Sequence, residues 1–433
     1  MIQAVIMAGG KGTRLRELTH DEIPKPMAHI NGKPILQHQI ECLKRQGITD
    51  IILIVGYLGE KIEKYFGNGS RFDVQIRYIK EETPLGTAGA LALLPPILNG
   101  ESFFLIFGDV LFDIDLARMV KYHVERKAKA TLLVHPNSHP YDSDLVITDK
   151  CDRVLAFNRK NSIRSDWYSN CVNAGFYLFE TDVCQRVSQG VKTDLEKELL
   201  SKMINEGCAV YAYHSPEYIK DVGTVERIIA AEKDLRCGLV ASRNLQNKQR
   251  AIFLDRDGTI NLENGLVYRE DQFELEPCAT TAIRAINQSG YLAIVTTNQP
   301  VVARGLCSIE QVEKIHQKME TLLGREAAYL DAIVFCPHHP DKGFPEENPA
   351  YKIPCHCRKP DVGMLEKCAK RFNIDLKESW MIGDSTVDIQ TGKNAGTHTA
   401  LVQTGVAGKD AKYTAVPDIV CENLLSAVQM ILS

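Results

Sequence analysis

Two short apolar runs, each leading into a loop of chemically distinctive residues, constrain the fold of this chain more than any other feature. Residues 3–7 (QAVIM) run into a glycine-rich loop, and residues 251–254 (AIFL) run into an Asp-Arg-Asp-Gly loop. A short apolar run that ends in such a loop is typical of the buried strand that opens an α/β domain. The 433 residues provide enough chain for two such domains.

Strand-like and helical patterns alternate through both halves. Residues 34–46 place three Leu or Ile side chains on one helical face before Gly47, and Ser308 and Gln311 have the spacing of a capping box. Further strand-like runs fall at 51–55, 103–107 and 130–134, and near 292–296, 331–335, 380–382 and 398–402. The alternation predicts an α/β fold in which each domain has a mainly parallel sheet between helices. Functional loops are then expected at the carboxyl ends of the strands.

A polar stretch without apolar periodicity, residues 238–250, marks the expected domain boundary. We predict a first domain over 1–237, a linker over 238–249 and a second domain over 250–433. Several apolar positions near 224–240 suit either a subunit contact or a terminal helix packed on the first domain, so a homo-oligomer stays open.

Composition excludes several classes of protein. Lys and Arg total 51 and Asp and Glu total 55, so the net charge of -4 does not favour binding to nucleic acid or to an anionic membrane. No apolar run reaches the roughly 18 residues of a transmembrane helix, and the N-terminus lacks a basic leader. Thirteen cysteines without an export signal indicate reduced thiols. We therefore expect a cytoplasmic protein.

The first loop has the composition of a phosphate-binding loop. It reads GGKGTR (9–14), in which glycines allow close approach of the backbone to a phosphate and Arg14 can bind two phosphate oxygens. Taken alone, the motif is equally well explained as a tight turn, and it lacks the GK[ST] ending of a P-loop. Lys25 stands between two prolines, where it can hold a charge against phosphates. Asp109 and Asp221 have the carboxylates that could share a Mg²⁺ bridging nucleotide phosphates.

Residues 1 to about 237 resemble the sugar-1-phosphate nucleotidyltransferases, whose motifs occur here in the same order. The resemblance implies that a sugar 1-phosphate attacks the α-phosphorus of a nucleoside triphosphate and releases pyrophosphate. It also implies the following roles: Gly9, Gly10, Gly12 and Thr13 cradle the triphosphate, Arg14 stabilises the departing pyrophosphate, Lys25 neutralises the reacting phosphates, and Asp109 and Asp221 hold Mg²⁺. Gly86 would leave room for the base, while Asn173 and Glu180 would touch the sugar.

The resemblance is weaker at one position and most specific within one subgroup. Members of the family often carry a second Lys in a Glu-Lys-Pro-like stretch, which reads FNRKN (157–161) here. Lys160 is the candidate for binding the sugar phosphate, and a solvated loop charge is an equally good reading. Within the family, this half most resembles the D-glycero-α-D-manno-heptose 1-phosphate guanylyltransferases, and next the mannose-1-phosphate guanylyltransferases. GTP is the implied donor.

The second loop contains two carboxylates suited to phosphate-ester hydrolysis. Asp255 would attack phosphorus and form an aspartyl-phosphate, and Asp257 would protonate the leaving alkoxide and then activate water. An isolated pair of this kind is more often a solvated acidic turn. Residues at the ends of later predicted strands make a solvated turn less favoured here. Thr297 and Asn298 could bind phosphate oxygens, and Asp384 could bind Mg²⁺.

These motifs, together with an Arg-Lys-Pro stretch, resemble the haloacid dehalogenase-like phosphatases. The resemblance implies that Mg²⁺ is held by Asp255, the backbone carbonyl of Asp257, and Asp384. Asp388 would orient Lys359 or the waters of the metal. Arg358 and Lys359 would bind phosphate.

A cysteine and histidine pattern precedes the Arg-Lys-Pro stretch. Three thiolates and one imidazole suit a tetrahedral structural Zn²⁺ with no open position. The candidate ligands are Cys336, His338, Cys355 and Cys357. His339 and His356 are spare imidazoles, and unrelated buried cysteines are the alternative. The zinc would position the neighbouring phosphate-binding cations.

The zinc loop resembles that of the D-glycero-D-manno-heptose 1,7-bisphosphate 7-phosphatases, with the histidinol-phosphate phosphatases as nearest competitor. The resemblance makes Arg304 a substrate contact, and Pro300-Val301 departs from the usual pattern. Together the halves imply an enzyme that hydrolyses the 7-phosphate and then guanylylates heptose 1-phosphate. Three alternatives remain. One pairs a mannose-1-phosphate guanylyltransferase with a phosphatase for another sugar phosphate. Another places a histidinol-phosphate phosphatase in the second half. A third makes one half a catalytically inactive binding domain.

Overall fold

The computed structural model describes residues 2–10, 22–160, 163–341, 343 and 346–433. The chain forms two compact units. The first comprises Met1–His135, Val146–Asn158 and Val172–Asn244. The second comprises Pro136–Leu145, Arg159–Cys171 and Leu245–Ser433. Two stretches from the first half of the sequence therefore belong to the second unit.

These units differ from the predicted boundaries in two respects. The chain enters the second unit after Asn244, and the predicted linker over 238–249 contains a helix whose Val240 packs in a core of the first unit with Ile228. In addition, 136–145 and 159–171 lie in the second unit rather than in a domain over 1–237. Polar composition carries no signal for segments that leave one unit and return.

The first unit is built on a nine-stranded sheet with two smaller ribbons. Its strands are β1 (Gln3–Met7), β2 (His29–Ile30), β3 (Lys33–Pro34), β4 (Asp50–Val55), β5 (Gln75–Lys80), β6 (Ser102–Phe107), β7 (Val110–Asp113), β8 (Ala130–His135), β9 (Leu145–Thr148), β10 (Val154–Asn158), β11 (Val172–Glu180), β12 (Val210–His214) and β13 (Tyr218–Asp221). Its helices are α1 (Ile35–Arg45), α2 (Gly59–Phe66), α3 (Leu116–Glu125), α4 (Ser201–Asn205), α5 (Val225–Arg236) and α6 (Leu239–Ser242).

The large sheet is parallel through β6, β1, β4 and β5, and it has antiparallel pairs on one side, including the predicted strand at 130–134. Its order is β10-β9-β11-β6-β1-β4-β5, and β8 joins β11 to β12. The neighbours β6, β1, β4 and β5 run parallel, whereas β11 runs antiparallel to both β6 and β8. Residues 172–180 were not predicted as a strand, because Asn173 and Gly175 interrupt the apolar run. A bulge absorbs them, with Gly175 at a φ of +69°.

The second unit contains a six-stranded sheet with order β16-β15-β14-β17-β18-β19, and every pair in it is parallel. Its strands are β14 (Arg250–Leu254), β15 (Tyr291–Asn298), β16 (Ala332–Cys336), β17 (Trp380–Gly383), β18 (His398–Val402) and β19 (Ile419–Cys421). Its helices are α7 (Ala279–Asn287), α8 (Ile309–Arg325), α9 (Gly363–Phe372), α10 (Thr386–Ala395) and α11 (Leu424–Leu432).

Both faces of the second sheet are buried, as expected for a parallel sheet. Along β14, Ile252 and Leu254 enter one apolar core, while Ala251 and Phe253 enter another. The predicted helix start at Ser308 is correct, since its side chain accepts a hydrogen bond from the backbone N–H of Gln311. The α/β class predicted from alternation is confirmed in both units.

The cysteines show no pairing. All thirteen are free thiols. Cys42 and Cys368 are buried in apolar cores, where burial raises the pKa of each thiol to about 12. These two are therefore packing residues rather than nucleophiles. Among the described residues, no helix is long and apolar enough to cross a membrane.

The two returning segments, 136–145 and 159–171, form what we call the arm, and the arm packs on α8. The backbone N–H of Tyr168 donates to Thr321 Oγ1 at 2.9 Å, and Thr321 Oγ1 is 3.1 Å from the Tyr168 carbonyl oxygen. The cationic groups of Lys318 and Arg325 lie 5.3 and 5.5 Å from the Trp167 ring. At Gly324, a Cβ would come within 2.5 Å of a proline ring of the arm. The arm thus has specific polar and apolar contacts with this helix.

Glu320 provides a pH-dependent contribution to the stability of this contact. The side chain is half-buried against Ser169 and Asn170, and burial raises its pKa to about 7. A carboxyl group whose pKa is higher in the folded protein than in the unfolded chain contributes its full stabilisation to the fold at pH values below the unfolded pKa, near 4.5. This contribution is lost as the pH rises through the folded pKa of about 7. Because the Glu320 side chain is partly exposed, we expect the free energy of unfolding to fall by about 2 kcal/mol, which is less than the full pKa shift would give.

Glu320→Gln should therefore raise the free energy of unfolding of the second unit at pH 8 and change it little at pH 4.5. Denaturant titrations followed by tryptophan fluorescence measure this, since both tryptophans, Trp167 and Trp380, lie in that unit. Glu326→Gln, on the turn after α8, is the matched control. An equal effect of Glu320→Gln at both pH values would contradict this assignment.

Candidate active sites

In the first unit, Lys25 and Asp109 meet at the carboxyl ends of β1 and β6. Lys25 Nζ forms an ion pair with Asp109 Oδ2, and its side chain is only 12% exposed. The prolines beside Lys25 place it on a short 3₁₀ turn. A Cβ on Gly108 would lie 2.8 Å from the Met7 carbonyl oxygen, so only glycine fits this approach of the two strand ends. The predicted cation and carboxylate are thus brought together.

Asp221 joins this pair through the ribbon formed by β7 and β13. It lies opposite Val110 in that ribbon, and the backbone N–H of Val222 donates to the Asp109 carbonyl oxygen at 2.9 Å. Asp221 Oδ2 accepts a hydrogen bond from Arg227, while its buried Oδ1 has no hydrogen-bond partner among the described residues. A buried carboxylate oxygen left in this state, on a backbone that neighbours Asp109, fits a hard divalent cation such as Mg²⁺.

Gln39 braces the Asp109 turn and was not predicted from the sequence. The side chain is fully buried, and its amide nitrogen donates to the carbonyl oxygens of Phe107 and Val110, at 2.9 and 2.7 Å. These bonds fix the backbone on both sides of Asp109. No local motif signals this role, because Gln39 lies on the buried face of α1.

The glycine-rich loop follows β1 directly. A Cβ on Gly9 would lie 2.7 Å from Glu81 Oε2 and 3.3 Å from the backbone nitrogen of Gly56, so a larger residue would fit only with shifts of these neighbours. Nothing lies within 4 Å of the corresponding position on Gly10. The other loop residues assigned to phosphate, Gly12, Thr13 and Arg14, lie outside the described residues.

Gly86 is required by the local backbone. Its φ is +80°, and a Cβ there would come 2.6 Å from the Thr193 carbonyl oxygen. The predicted role of Gly86 beside the base stays a prediction. The same segments are joined by the Ala88 N–H, which donates to Thr193, and by Thr87 Oγ1, which accepts from the Leu195 N–H.

The two residues predicted to touch the sugar lie at opposite ends of β11. Asn173 is at the end nearest the Asp109 turn, where Nδ2 donates to Glu196 Oε1 at 2.6 Å and Oδ1 is buried without a partner among the described residues. Glu180 lies opposite Ser102, at the amino end of β6, where it pairs with His123. Glu180 is thus a structural partner, and Glu196, which the sequence reading missed, is the carboxylate beside Asn173.

Lys160 belongs to the arm and hence to the second unit. Its backbone N–H donates to Asp144 Oδ1 at 2.8 Å, and its ammonium lies 3.3 Å from Asp142 Oδ1. The side chain is 41% exposed. These contacts favour the reading of Lys160 as a solvated loop charge over that of a sugar-phosphate ligand.

In the second unit, three carboxylates converge where β14 and β17 end. Asp255, Asp384 and Asp388 each offer an oxygen within 4.8 Å of the others. Lys359 Nζ bridges two of them, at 2.9 Å from Asp255 Oδ1 and 2.5 Å from Asp388 Oδ1. Gly258 crowds Asp384, since a Cβ would lie 2.4 Å from its Oδ2. Asp388 thus contacts Lys359, as required if its role is to orient this lysine rather than the waters of the metal.

The charge balance of this cluster calls for a cation. Burial, reinforced by the Asp388 carboxylate, raises the pKa of Asp255 to about 7. Burial and the Asp255 carboxylate raise the pKa of Asp384 to about 8. One ammonium cannot offset three buried carboxylates, so a divalent cation with oxygen ligands fits this donor set.

Asp257 is held apart from that cluster by residues to which the sequence reading gave no role. Its carboxylate accepts hydrogen bonds from the guanidinium of Arg256, from Gln299 Nε2 at 2.9 Å and from Asn261 Nδ2 at 3.1 Å. Arg256 lies within the Asp-Arg-Asp-Gly loop, and Gln299 directly follows Thr297 and Asn298. Their proximity to the motif aspartate and threonine was the signal that could have identified them.

Thr297 and Asn298 both have hydrogen bonds to neighbouring parts of this site. Thr297 Oγ1 accepts from Gln299 Nε2 at 2.9 Å, which leaves its own O–H available as a donor. Asn298 holds the backbone of Lys359, since Oδ1 accepts from its N–H and Nδ2 donates to its carbonyl oxygen, both at 3.0 Å. Asn298 therefore positions Lys359, and the direct phosphate contacts stay a prediction.

Arg304 and Arg358 contribute positive charge near His339. Burial, together with the guanidinium groups of Arg358 and Arg304, lowers the pKa of His339. The Pro300-Val301 departure is accommodated by an apolar cluster in which Val301 packs with Val312. Two positive charges therefore lie close to His339.

The predicted zinc ligands form one compact group. Cys336 Sγ lies 3.5 Å from Cys355 Sγ and 3.2 Å from Cys357 Sγ, and His338 Nδ1 lies 3.3 Å from Cys357 Sγ. All four ligand atoms lie within 4.8 Å of one another. The set of three sulfurs and one nitrogen fits a closed tetrahedral metal site.

The neighbouring imidazoles and cations support that assignment. His339 lies beside Asp341, and His356 pairs with Glu366, so His338 supplies the imidazole of the group. Arg358 Nη1 donates to the His338 carbonyl oxygen at 3.0 Å, which ties the metal loop to the cations that follow it.

Chelation should remove about one metal per chain and destabilise the second unit. Cys355→Ser removes one sulfur, and we expect its melting temperature to fall by roughly 10 °C, because a structural metal contributes several kcal/mol. Metal analysis and thermal scans measure both effects. Cys151→Ser, at an exposed thiol outside the group, is the matched control. Unchanged metal content in Cys355→Ser would contradict the assignment.

The folds and sites define a protein with two sites for phosphorus chemistry, each at the carboxyl ends of parallel strands. Residues 3–237 match the nucleotidyl transferase family model, and residues 356–427 match the HAD-hydrolase-like model. The chain therefore belongs to the nucleotidyl transferase family through its first half and to the HAD-like hydrolases through its second. It is an enzyme with a nucleotidyltransferase domain and a HAD-like phosphatase domain.

Three relatives illustrate this division. The chain is 35% identical over 241 residues to D-glycero-alpha-D-manno-heptose 1-phosphate guanylyltransferase of Aneurinibacillus thermoaerophilus, covering 54% of this chain and 99% of the relative. It is 36% identical over 182 residues to D-glycero-beta-D-manno-heptose-1,7-bisphosphate 7-phosphatase of Haemophilus ducreyi, covering 42% and 97%. It is 37% identical over 246 residues to mannose-1-phosphate guanylyltransferase of Mycobacterium tuberculosis, covering 57% of this chain and 67% of that relative.

Proposed function

We propose that the chain is a bifunctional enzyme of nucleotide-activated heptose synthesis. It removes the 7-phosphate of D-glycero-D-manno-heptose 1,7-bisphosphate and transfers GMP from GTP to the resulting heptose 1-phosphate. One observation carries the proposal: each half matches nearly the full length of a separate enzyme that is named for a phosphate of D-glycero-D-manno-heptose, one a 1-phosphate guanylyltransferase and the other a 1,7-bisphosphate 7-phosphatase. The free cysteines agree with a cytoplasmic location.

In the transferase reaction, an oxygen of heptose 1-phosphate attacks the α-phosphorus of GTP. The bond from that phosphorus to the bridging oxygen breaks, and pyrophosphate leaves. Lys25 screens the reacting phosphates, and the 9–14 loop, with Arg14, holds the triphosphate. Asp109 and Asp221 would hold a Mg²⁺ that offsets phosphate charge. Asn173, oriented by Glu196, offers its unpartnered amide oxygen to a sugar hydroxyl.

In the phosphatase reaction, an Asp255 oxygen attacks the 7-phosphorus. The ester bond breaks as Asp257 gives a proton to the departing sugar oxygen. Water then attacks the aspartyl-phosphate while Asp257 takes its proton, which releases phosphate and restores Asp255. Asp255, Asp384 and the Asp257 carbonyl would hold a Mg²⁺ that screens the phosphate dianion. Lys359 neutralises phosphate charge from the other side.

Two features complete the proposed phosphatase site. The metal of the Cys336 group is proposed to be Zn²⁺, because three thiolates and an imidazole favour it. Arg304 and Arg358 are proposed to bind the phosphate that the substrate retains. A substrate with two phosphates would account for cations both at the reacting centre and near His339.

A second candidate for the first half is favoured by one comparison. The chain shares 37% identity with a mannose-1-phosphate guanylyltransferase, slightly more than with the heptose enzyme. The relatives also name different anomers, alpha for the guanylyltransferase and beta for the phosphatase. The first half is therefore to be tested with mannose 1-phosphate and with both anomers of heptose 1-phosphate.

A substrate panel tests the proposal. Pyrophosphate release is measured for each sugar 1-phosphate with GTP, ATP, CTP and UTP, and phosphate release for both anomers of the bisphosphate and for histidinol phosphate. We expect the highest kcat/KM with GTP and heptose 1-phosphate, and with the heptose bisphosphate. Preference for mannose 1-phosphate, or for histidinol phosphate, would overturn the heptose assignment of that half.

A further inference from the structure

Arg256 is completely buried, although it stands between two candidate catalytic aspartates. A buried guanidinium is costly unless its charge and its donors are matched. Here Nη2 lies 2.8 and 2.9 Å from the two oxygens of Asp257, and Nε lies 3.1 Å from Oδ1. Arg256 therefore grips the Asp257 carboxylate as a fork, which fixes the plane of the carboxylate as well as its position.

Two further side chains hold the fork in place. Gln299 accepts from Arg256 Nη2 at 3.0 Å through Oε1, and it donates to Asp257 Oδ2 at 2.9 Å through Nε2. His316 Nε2 lies 3.3 Å from Arg256 Nη1. Burial, together with the Arg256 charge, lowers the pKa of His316 well below its usual value, so its ring is neutral and Nε2 accepts. The chain from His316 through Arg256 to Asp257 is continuous.

We propose that Arg256, Gln299 and His316 form a positioning cradle that aims the Asp257 carboxyl at the oxygen of the departing alkoxide. The cradle rests on the proposed phosphatase reaction, in which Asp257 gives that proton. Asp257 itself is outside the cluster formed by Asp255, Asp384 and Asp388. Its carboxylate is thus reserved for proton transfer, while its neighbours serve the phosphate and cation.

Leaving-group dependence separates positioning from general structural support. An alkoxide is a poor leaving group that needs the proton, whereas p-nitrophenolate departs without it. The parameter kcat/KM includes steps only through the first irreversible one, here formation of the aspartyl-phosphate, so it excludes the later hydrolysis. A damaged cradle should therefore lower kcat/KM for heptose 1,7-bisphosphate and spare kcat/KM for p-nitrophenyl phosphate.

The test uses the full-length protein and three variants. Gln299→Met should lower kcat/KM for the heptose bisphosphate roughly 10²-fold and that for p-nitrophenyl phosphate less than threefold. His316 reaches Asp257 only through Arg256, so His316→Leu should lower kcat/KM for the heptose bisphosphate by a smaller factor and spare kcat/KM for p-nitrophenyl phosphate. His316→Gln keeps a hydrogen-bond acceptor and should restore kcat/KM for the heptose bisphosphate. Gln288→Met, at an exposed position, is the control. Retained p-nitrophenyl phosphate turnover shows that each variant is folded.

The outcomes distinguish the cradle from the proposed function. A wild-type protein that releases phosphate from neither ester would overturn the phosphatase assignment itself. A wild-type protein active on both esters, with variants that lose both activities equally, would overturn the cradle alone. Failure of His316→Gln to recover activity lost in His316→Leu would also count against it.

Discussion

Asp255→Asn should abolish phosphate release, by at least roughly 10³-fold, and leave pyrophosphate release within a factor of two. The asparagine amide cannot attack phosphorus to form the acyl-phosphate bond, so the proposed aspartyl-phosphate is not made. The substitution keeps the size of the side chain and removes one negative charge from a cluster of three buried carboxylates. The second unit should therefore fold, and stability measurements should show no loss.

The matched control for Asp255→Asn is Asp271→Asn. Asp271 pairs with Arg269 on the surface of the same unit and is 70% exposed. It should retain both activities. Phosphate release is followed with a colorimetric assay, and pyrophosphate release with a coupled pyrophosphatase assay on the same preparation. Loss of both activities in folded Asp255→Asn would contradict two independent sites.

Asp109→Asn should have the converse effect, lowering pyrophosphate release roughly 10²-fold or more while phosphate release continues. Asp109 is the partner of Lys25 and lies beside Asp221, so its charge serves both the lysine and the proposed cation. Removing it leaves Lys25 without its carboxylate and the cation with one ligand fewer. We expect the requirement for Mg²⁺ to shift to higher concentration.

Asp73→Asn is the matched control for Asp109→Asn. Asp73 lies on the surface of the first unit, where it forms an exposed ion pair with Lys44. Titrations of Mg²⁺ against pyrophosphate release compare both variants with wild type. An Asp109→Asn protein with wild-type rate and wild-type Mg²⁺ dependence would show that the carboxylate pair is not the metal site.

Local sequence patterns predicted the elements that carry the sites. Apolar runs that end in polar motifs located the strands correctly, and Asp109, Asp255 and Asp384 each follow the end of a strand. The cysteine spacing predicted the group of four candidate ligands, since they come from two short stretches joined by one loop. Lys25 lies instead on a 3₁₀ turn, and its contact with Asp109 was not predicted.

The sequence did not reveal contacts between residues that are distant along the chain. Glu180 and Glu196 are both near Asn173 along the chain, and only the antiparallel direction of β11 places Glu180 at the far end of the sheet. Asn298 binds the backbone of Lys359, 61 residues away. The packing of the arm on α8 likewise depends on long-range contacts, such as that of Tyr168 with Thr321, which have no local pattern.

The central claim is tested most directly by following both reactions in one tube with ³¹P NMR. Full-length protein is supplied with heptose 1,7-bisphosphate, GTP and Mg²⁺. The account predicts that inorganic phosphate appears first, and that pyrophosphate then forms in equal amount with a nucleotide sugar that carries no phosphate monoester. Pyrophosphate formed without release of phosphate, or phosphate released with no nucleotide sugar, would contradict it.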